Sequence, residues 1–222
     1  MKKIFILFGA SGDLGKTAVE YFMNRDYDFH YYFARGEFHP DINNTRYVAI
    51  KTGDLSDEAV VEEAFSKISL EDAGYFLFST VGGYSGGKEI AETAYSDWRR
   101  MLDMNLNSSF LIAKHFTRLA SKARGGSICF MSALSSITVS SGSSSYSVSK
   151  NGLNNLVRIL ALEGKKNQIS SNAIAPYAID TPSNREWIKD FSKLVPRERI
   201  CGTVQFLFEN YQLLTGNLIE IP

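Results

Sequence analysis

The pattern that most constrains this chain stands at its start, where the apolar run Ile4-Phe5-Ile6-Leu7-Phe8 passes directly into Gly9-Ala10-Ser11-Gly12-Asp13-Leu14-Gly15. Five apolar residues suit a buried strand, and fall short of a signal-peptide core or the ~18 residues of a membrane span. Glycines at 9, 12 and 15 allow a tight turn, a backbone that approaches a pyrophosphate closely, and a helix whose free N–H groups face the phosphates. A plain glycine turn between strand and helix is the other reading of the same residues.

Along the rest of the chain, short apolar runs alternate with helical patterns. Strands are expected at 29–34, 47–50, 75–79, 128–131, 170–174 and 217–221, and helices at 15–24, from Asp57, and at 147–163. Asp97 reads as the N-cap of a long helix that buries Trp98, Met101, Leu102, Asn105, Leu106, Ser109, Ile112 and Phe116 in one stripe. Such alternation predicts an α/β fold: a single Rossmann-type, doubly wound parallel sheet with helices on both faces, one domain over residues 1–222. The stretch 132–149 holds ten serines in eighteen residues, yet also Leu134, Ile137, Val139, Tyr146 and Val148. It fits a loop at the C-terminal edge of the sheet, where such folds bind ligands, better than a flexible spacer.

Lysine plus arginine and aspartate plus glutamate both number 24, so no bulk charge favours nucleic acid or an anionic membrane. An anionic ligand must be held locally. Cys129 and Cys201 lie far apart without metal-ligand spacing, which predicts two reduced, buried thiols, no metal site and a cytoplasmic protein.

Within the glycine turn, Gly9, Ser11, Gly12, Asp13, Leu14 and Gly15 are the expected dinucleotide contacts. After the third strand, Asp54 is placed to accept from an adenine amino group, with Leu55 beside it; alternatively Asp54 caps the next helix. The end of the second strand reads Phe33-Ala34-Arg35-Gly36, with no acid until Glu37. A carboxylate there would bind a ribose 2′-hydroxyl, whereas arginine accommodates a 2′-phosphate, so Arg35 favours NADP(H) over NAD(H).

Tyr146 and Lys150, four apart on a helix, share one face. A nearby ammonium is expected to lower the phenol's pKa from about 10 by about 1–3 units, letting it exchange a proton with a carbonyl oxygen as hydride moves.

Together, Gly9-x-x-Gly12-x-x-Gly15, Asp54, Asn105 and Tyr146-x-x-x-Lys150 resemble the short-chain dehydrogenase/reductase family over almost the whole chain. The segment Asn172-Ala173-Ile174-Ala175-Pro176-Tyr177-Ala178-Ile179-Asp180-Thr181-Pro182 resembles the family's stretch after its sixth strand. The resemblance implies that Gly82, Pro176, main-chain groups of Ile179 and the Thr181 hydroxyl hold the cofactor. Asn105 would join Lys150 in a proton relay, or otherwise cap or bend its helix. It also implies a small-molecule substrate and a homodimer or homotetramer.

Three positions depart from the family. Its Asn-Asn-Ala-Gly is here Ser79-Thr80-Val81-Gly82-Gly83, its Pro-Gly step is Pro176-Tyr177, and its catalytic serine, thirteen residues before the tyrosine, is Ala133. Ser132 is adjacent but points to the opposite face of an extended strand, and Ser135 is the other candidate. With Val81-Gly82-Gly83-Tyr84-Ser85-Gly86-Gly87 and Asp180-Thr181-Pro182-Ser183-Asn184-Arg185, Ala133 is similar to the dihydropteridine reductase branch. The expected activity is reduction of a C=O or C=N group; a non-catalytic dinucleotide-binding sensor or scaffold is the reading from another class. Residues 183–196, with Trp187, Phe191 and Leu194, form either a substrate lid or a surface helix.

Overall fold

The computed structural model describes residues 1–36, 38 and 45–222; Glu37 therefore lies outside the described residues. Strand β1 (Lys2–Phe8) leads through the glycine turn into α1 (Asp13–Phe22), then β2 (Phe29–Ala34) and β3 (Tyr47–Lys51). There follow α2 (Glu58–Ser66), β4 (Ala73–Ser79), α3 (Tyr95–Leu102), α4 (Ser108–Ala120), β5 (Gly126–Met131), α5 (Ser144–Gly164) and β6 (Ile169–Pro176). The C-terminal part comprises β7 (Ala178–Ile179), α6 (Pro182–Trp187), β8 (Leu194–Val195), α7 (Arg197–Glu209) and β9 (Leu218–Ile221).

Seven strands form one all-parallel sheet in the order β3-β2-β1-β4-β5-β6-β9. Alternating side chains of β1 feed two cores. Ile4, Ile6 and Phe8 pack with Val61, Ile112, Phe116, Leu153 and Val157 of α2, α4 and α5. Phe5 and Leu7 pack with Ala18, Phe22, Val204 and Phe208 of α1 and α7 on the other face. Because both faces are covered, the central strands read as continuous apolar runs rather than as alternating ones.

The order reverses between β1 and β4, and this switch point opens a crevice beyond the strands' C-terminal ends. The glycine turn sits there. Gly9 has φ +88° and a Cβ on it would collide with the Thr80 hydroxyl; a Cβ on Gly15 would collide with the Gly9 carbonyl. Both positions accept only glycine if helix and turn are to pack this closely.

Two expectations about helices change. α3 starts at Tyr95 behind Ala94, whose carbonyl accepts from Asp97 N (3.0 Å) and Trp98 N (3.1 Å), so Asp97 lies in the first turn and is not the cap. The expected long helix is also interrupted, because Asp103–Asn107 form a π-turn between α3 and α4. The serine-rich stretch is a loop only to Ser143, since α5 begins at Ser144.

Candidate active site

A cleft of about 710 Å³ opens at the switch point, lined by Gly9, Ser11 and Gly12 of the glycine turn, by Arg35, Asp54 and Leu55 beyond the strand ends, and by Gly82. Gly12 occupies the N-cap position of α1 without any side-chain cap, so the helix's first N–H groups remain available to an anion. That glycine cradle fits a dinucleotide's phosphates. Asp13, Leu14 and Gly15 start the helix instead of lining the cleft; the Leu14 side chain is buried in the core, leaving only its backbone for a ligand.

Asp54 is not the helix cap. Asp57 is, accepting from Ala59 N at 2.9 Å. Asp54 accepts from the Ser56 N–H (3.0 Å) and hydroxyl (2.9 Å), which together hold its carboxyl below the usual range, helped by Arg35 at 3.4 Å. The two residues expected to recognise different parts of the cofactor are thus paired with each other.

Gly82 joins the cleft to the residues of α5. A Cβ on Gly82 would stand 2.7 Å from Asn105 Oδ1 and 2.8 Å from Lys150 Nζ, so its missing side chain lets the loop, Asn105 and Lys150 meet. Asn105 is fully buried in the π-turn, accepts from Gly83 N (3.0 Å), and donates to Gly83 O (3.0 Å) and Ser149 Oγ (3.2 Å). Ser149 donates to Tyr146 O at 2.7 Å. The alternative for Asn105, a helix-bending residue, describes its backbone setting, while its amide ties the β4 loop to α5.

The lysine–tyrosine electrostatics run opposite to expectation. Lys150 is buried, donates to Met131 O at 2.8 Å, and burial pushes its pKa down to about 8. Tyr146 is pushed up to about 12, first by burial and then by the neighbouring Tyr84 phenol. The ammonium points at the β5 carbonyl, so burial outweighs any stabilisation of a phenolate.

Ala133 is extended (φ −152°, ψ 145°) and buried, with no hydroxyl to offer. Ser132 does not replace it: its hydroxyl donates to Asn154 Oδ1 at 2.6 Å, and Asn154 Nδ2 donates to Ser136 Oγ at 2.8 Å. Strand alternation sends Ser132 under α5, where Asn154, one helical turn beyond Lys150, holds its hydroxyl. Ser135 is half-buried. Pro176 ends β6 in the core, the Ile179 carbonyl accepts from Asn184 Nδ2 (2.8 Å), and the Thr181 hydroxyl caps α6 by accepting from Asn184 N (3.2 Å). Residues that sequence reasoning passed over are Tyr84, whose ring meets Tyr146, and Thr80, whose hydroxyl donates to Phe8 O at 3.0 Å and so ties β4 to β1.

Both cysteines are free and buried, and no group of metal-ligating side chains occurs among the described residues. No described helix is long and apolar enough to cross a membrane.

Residues 36–200 match the family described as enoyl-(acyl carrier protein) reductase. The galactitol 2-dehydrogenase of Rhizobium johnstonii is 28% identical over 192 residues, covering 78% of this chain and 74% of that protein. The dihydropteridine reductase of Dictyostelium discoideum is 28% identical over 193 residues, covering 86% and 80%. Among solved structures, ElxO with NADP bound superposes with a TM-score of 0.87 at 22% identity, covering 100% of this chain and 97% of that one, a likeness of fold.

Proposed function

Since the chain belongs to the short-chain dehydrogenase/reductase family and is an NAD(P)-dependent oxidoreductase, we propose that it reduces a C=O or C=N group of a small molecule, with Tyr146 as the proton donor. The observation that carries this reading is the meeting of Lys150 and Asn105 at Gly82, with Tyr146 one turn away on α5, where Gly82 also lines a cleft that reaches an uncapped helix N-terminus.

A bound nicotinamide dinucleotide supplies the hydride. The first turn of α1 binds its pyrophosphate, Asp54 and Leu55 flank its adenine, and Arg35 favours the 2′-phosphorylated form. Main-chain groups of Ile179 and the Thr181 hydroxyl hold the carboxamide, with Pro176 also against the cofactor, as the family resemblance implies. A phenol raised to about 12 keeps its proton at physiological pH but is a weaker acid than a free tyrosine, so Tyr146 holds the proton to be donated without being activated by its surroundings. Lys150 carries its charge below about pH 8 and holds the β5 edge against α5 through Met131 O. Asn105 and Ser149 fix the Tyr146 turn from the other side.

Ala133 favours a narrower reading. Without a hydroxyl there to polarise a ketone, a conjugated C=N system of the quinonoid dihydropteridine kind is the better substrate, and the Dictyostelium relative agrees in name. Retention of Tyr146, Lys150 and Asn105 favours a reductase over a non-catalytic binder, which has no use for a phenol beside the nicotinamide. Residues 183–196 serve as the lid: Trp187 is 80% exposed, and the Asp180–Arg185 pair anchors the segment's base.

The test is titration with NADPH and NADH by nicotinamide fluorescence, followed by turnover with quinonoid dihydropterin and with ketones. Dinucleotide binding, with turnover abolished in Tyr146→Phe at near-unchanged binding, is expected. A folded protein that binds neither cofactor, or a fully active Tyr146→Phe, would refute the reading.

A further inference from the structure

The cleft holds more cationic charge than its own carboxylates answer. Arg35 reaches it from the end of β2, and Arg99 and Arg100 reach it from α3; Asp54 and Asp103 are the acids lining it. Most of these groups are already engaged. Arg35 lies 3.4 Å from Asp54, Arg100 lies 3.4 Å from both Asp97 Oδ1 and Ser85 Oγ, and Asp103 accepts from Asn107 Nδ2 at 2.7 Å. The Arg99 guanidinium has no ion-pair or hydrogen-bond partner among the described residues, although Asp103 stands one helical turn away.

We propose that Arg99 binds the 2′-phosphate of NADP(H), so that selection of the phosphorylated cofactor rests on two arginines, Arg35 from the strand side and Arg99 from α3. This rests on the dinucleotide reading above and deepens it. A guanidinium presents a planar fork of donors that matches a phosphate monoester in two parallel hydrogen bonds. Arg35 can meet a phosphate only by loosening its pair with Asp54, whose carboxylate also repels the incoming anion. Arg99 has no internal partner to surrender, so its whole attraction is available to a ligand. The unphosphorylated dinucleotide carries no charge at the ribose for Arg99 to hold.

Arg99→Gln tests this, with Lys122→Gln, exposed in the turn after α4, as a control for lost net charge. Dissociation constants for NADPH and NADH would be measured for each, with adenosine 2′,5′-bisphosphate and 5′-AMP as competitors. Arg99→Gln should weaken NADPH and the bisphosphate about tenfold and leave NADH and 5′-AMP within about twofold, while Lys122→Gln changes neither. Equal weakening of both cofactors, which marks an adenine or pyrophosphate contact, overturns the proposal, as does no change in either. Failure of the unmodified protein to bind any dinucleotide is a separate result, which removes the cofactor reading itself.

Discussion

The ring of Tyr84 meets the ring of Tyr146 edge to face, with centroids 4.9 Å apart and planes at 78°. Three glycines of one loop allow this. Side chains on Gly83 and Gly86 would collide with Met104 and with the Tyr84 hydroxyl, and Gly87 N donates to Gly142 O at 2.7 Å, tying the loop to the serine-rich segment. Tyr84 is itself 70% exposed, so it covers Tyr146 from the solvent side.

Removing that cover should make the phenol more acidic. Tyr84→Ala relieves the burial of Tyr146 and deletes the neighbouring phenol, the two influences that raise its pKa in the native protein. A fall of about one unit is expected. Carbon-13 labelled tyrosine, followed by NMR through a pH titration and assigned with Tyr146→Phe, would show it. An unmoved midpoint would mean that the other walls of the site set the value.

Lys150 makes folding stability depend on alkaline pH with a definite sign. Its folded pKa of about 8 lies below the unfolded value of 10.5, so between these limits the unfolded chain binds more protons. Stability from this group therefore rises as pH increases from about 8 toward 10.5. Lys150→Met should lack that rise, read as melting temperature against pH. Reduction should also decline in the wild type as pH passes about 8 and the ammonium is lost.

Ser132→Ala separates structure from chemistry. The substitution leaves Asn154 Oδ1 without its donor in the core, a loss of about 1–3 kcal/mol in chemical denaturation. Turnover per folded molecule should stay within about twofold, because the hydroxyl faces Asn154. A hundredfold fall in kcat at unchanged stability would return Ser132 to the catalytic group. Ala133→Ser is the complement, and ketone reduction should rise in it.

Arg35→Ala should weaken NADPH by about tenfold and NADH little. Asp54→Asn should act the other way on NADPH, since it frees Arg35 from its partner at 3.4 Å. Equal loss of both cofactors in Arg35→Ala would contradict a role at the 2′-phosphate.

The fold was legible because its signals are local. An apolar run ending in a glycine turn, repeated alternation of strand and helix patterns, and Tyr146 four residues before Lys150 all depend on neighbours in the chain. The interruption at Asp103–Asn107 was not legible, because its residues keep helical periodicity and the π-turn is stabilised by Asn105 gripping Gly83, 22 residues earlier.

Charge and orientation at the site belonged to tertiary structure alone. The spacing of Tyr146 and Lys150 put them on one helical face, but whether the ammonium stabilises the phenol depends on where β5 places the Met131 carbonyl. The sequence offered Arg35 and Asp54 as separate contacts, and only the pairing of β2 with β3 sets them side by side. Arg99 carried no signal as one arginine among many on a polar helix start; the switch point between β1 and β4 turns that helix toward the cleft. Spacing along a chain determines which face a side chain shares, while burial and partners are set by segments distant in sequence, and those decide its charge.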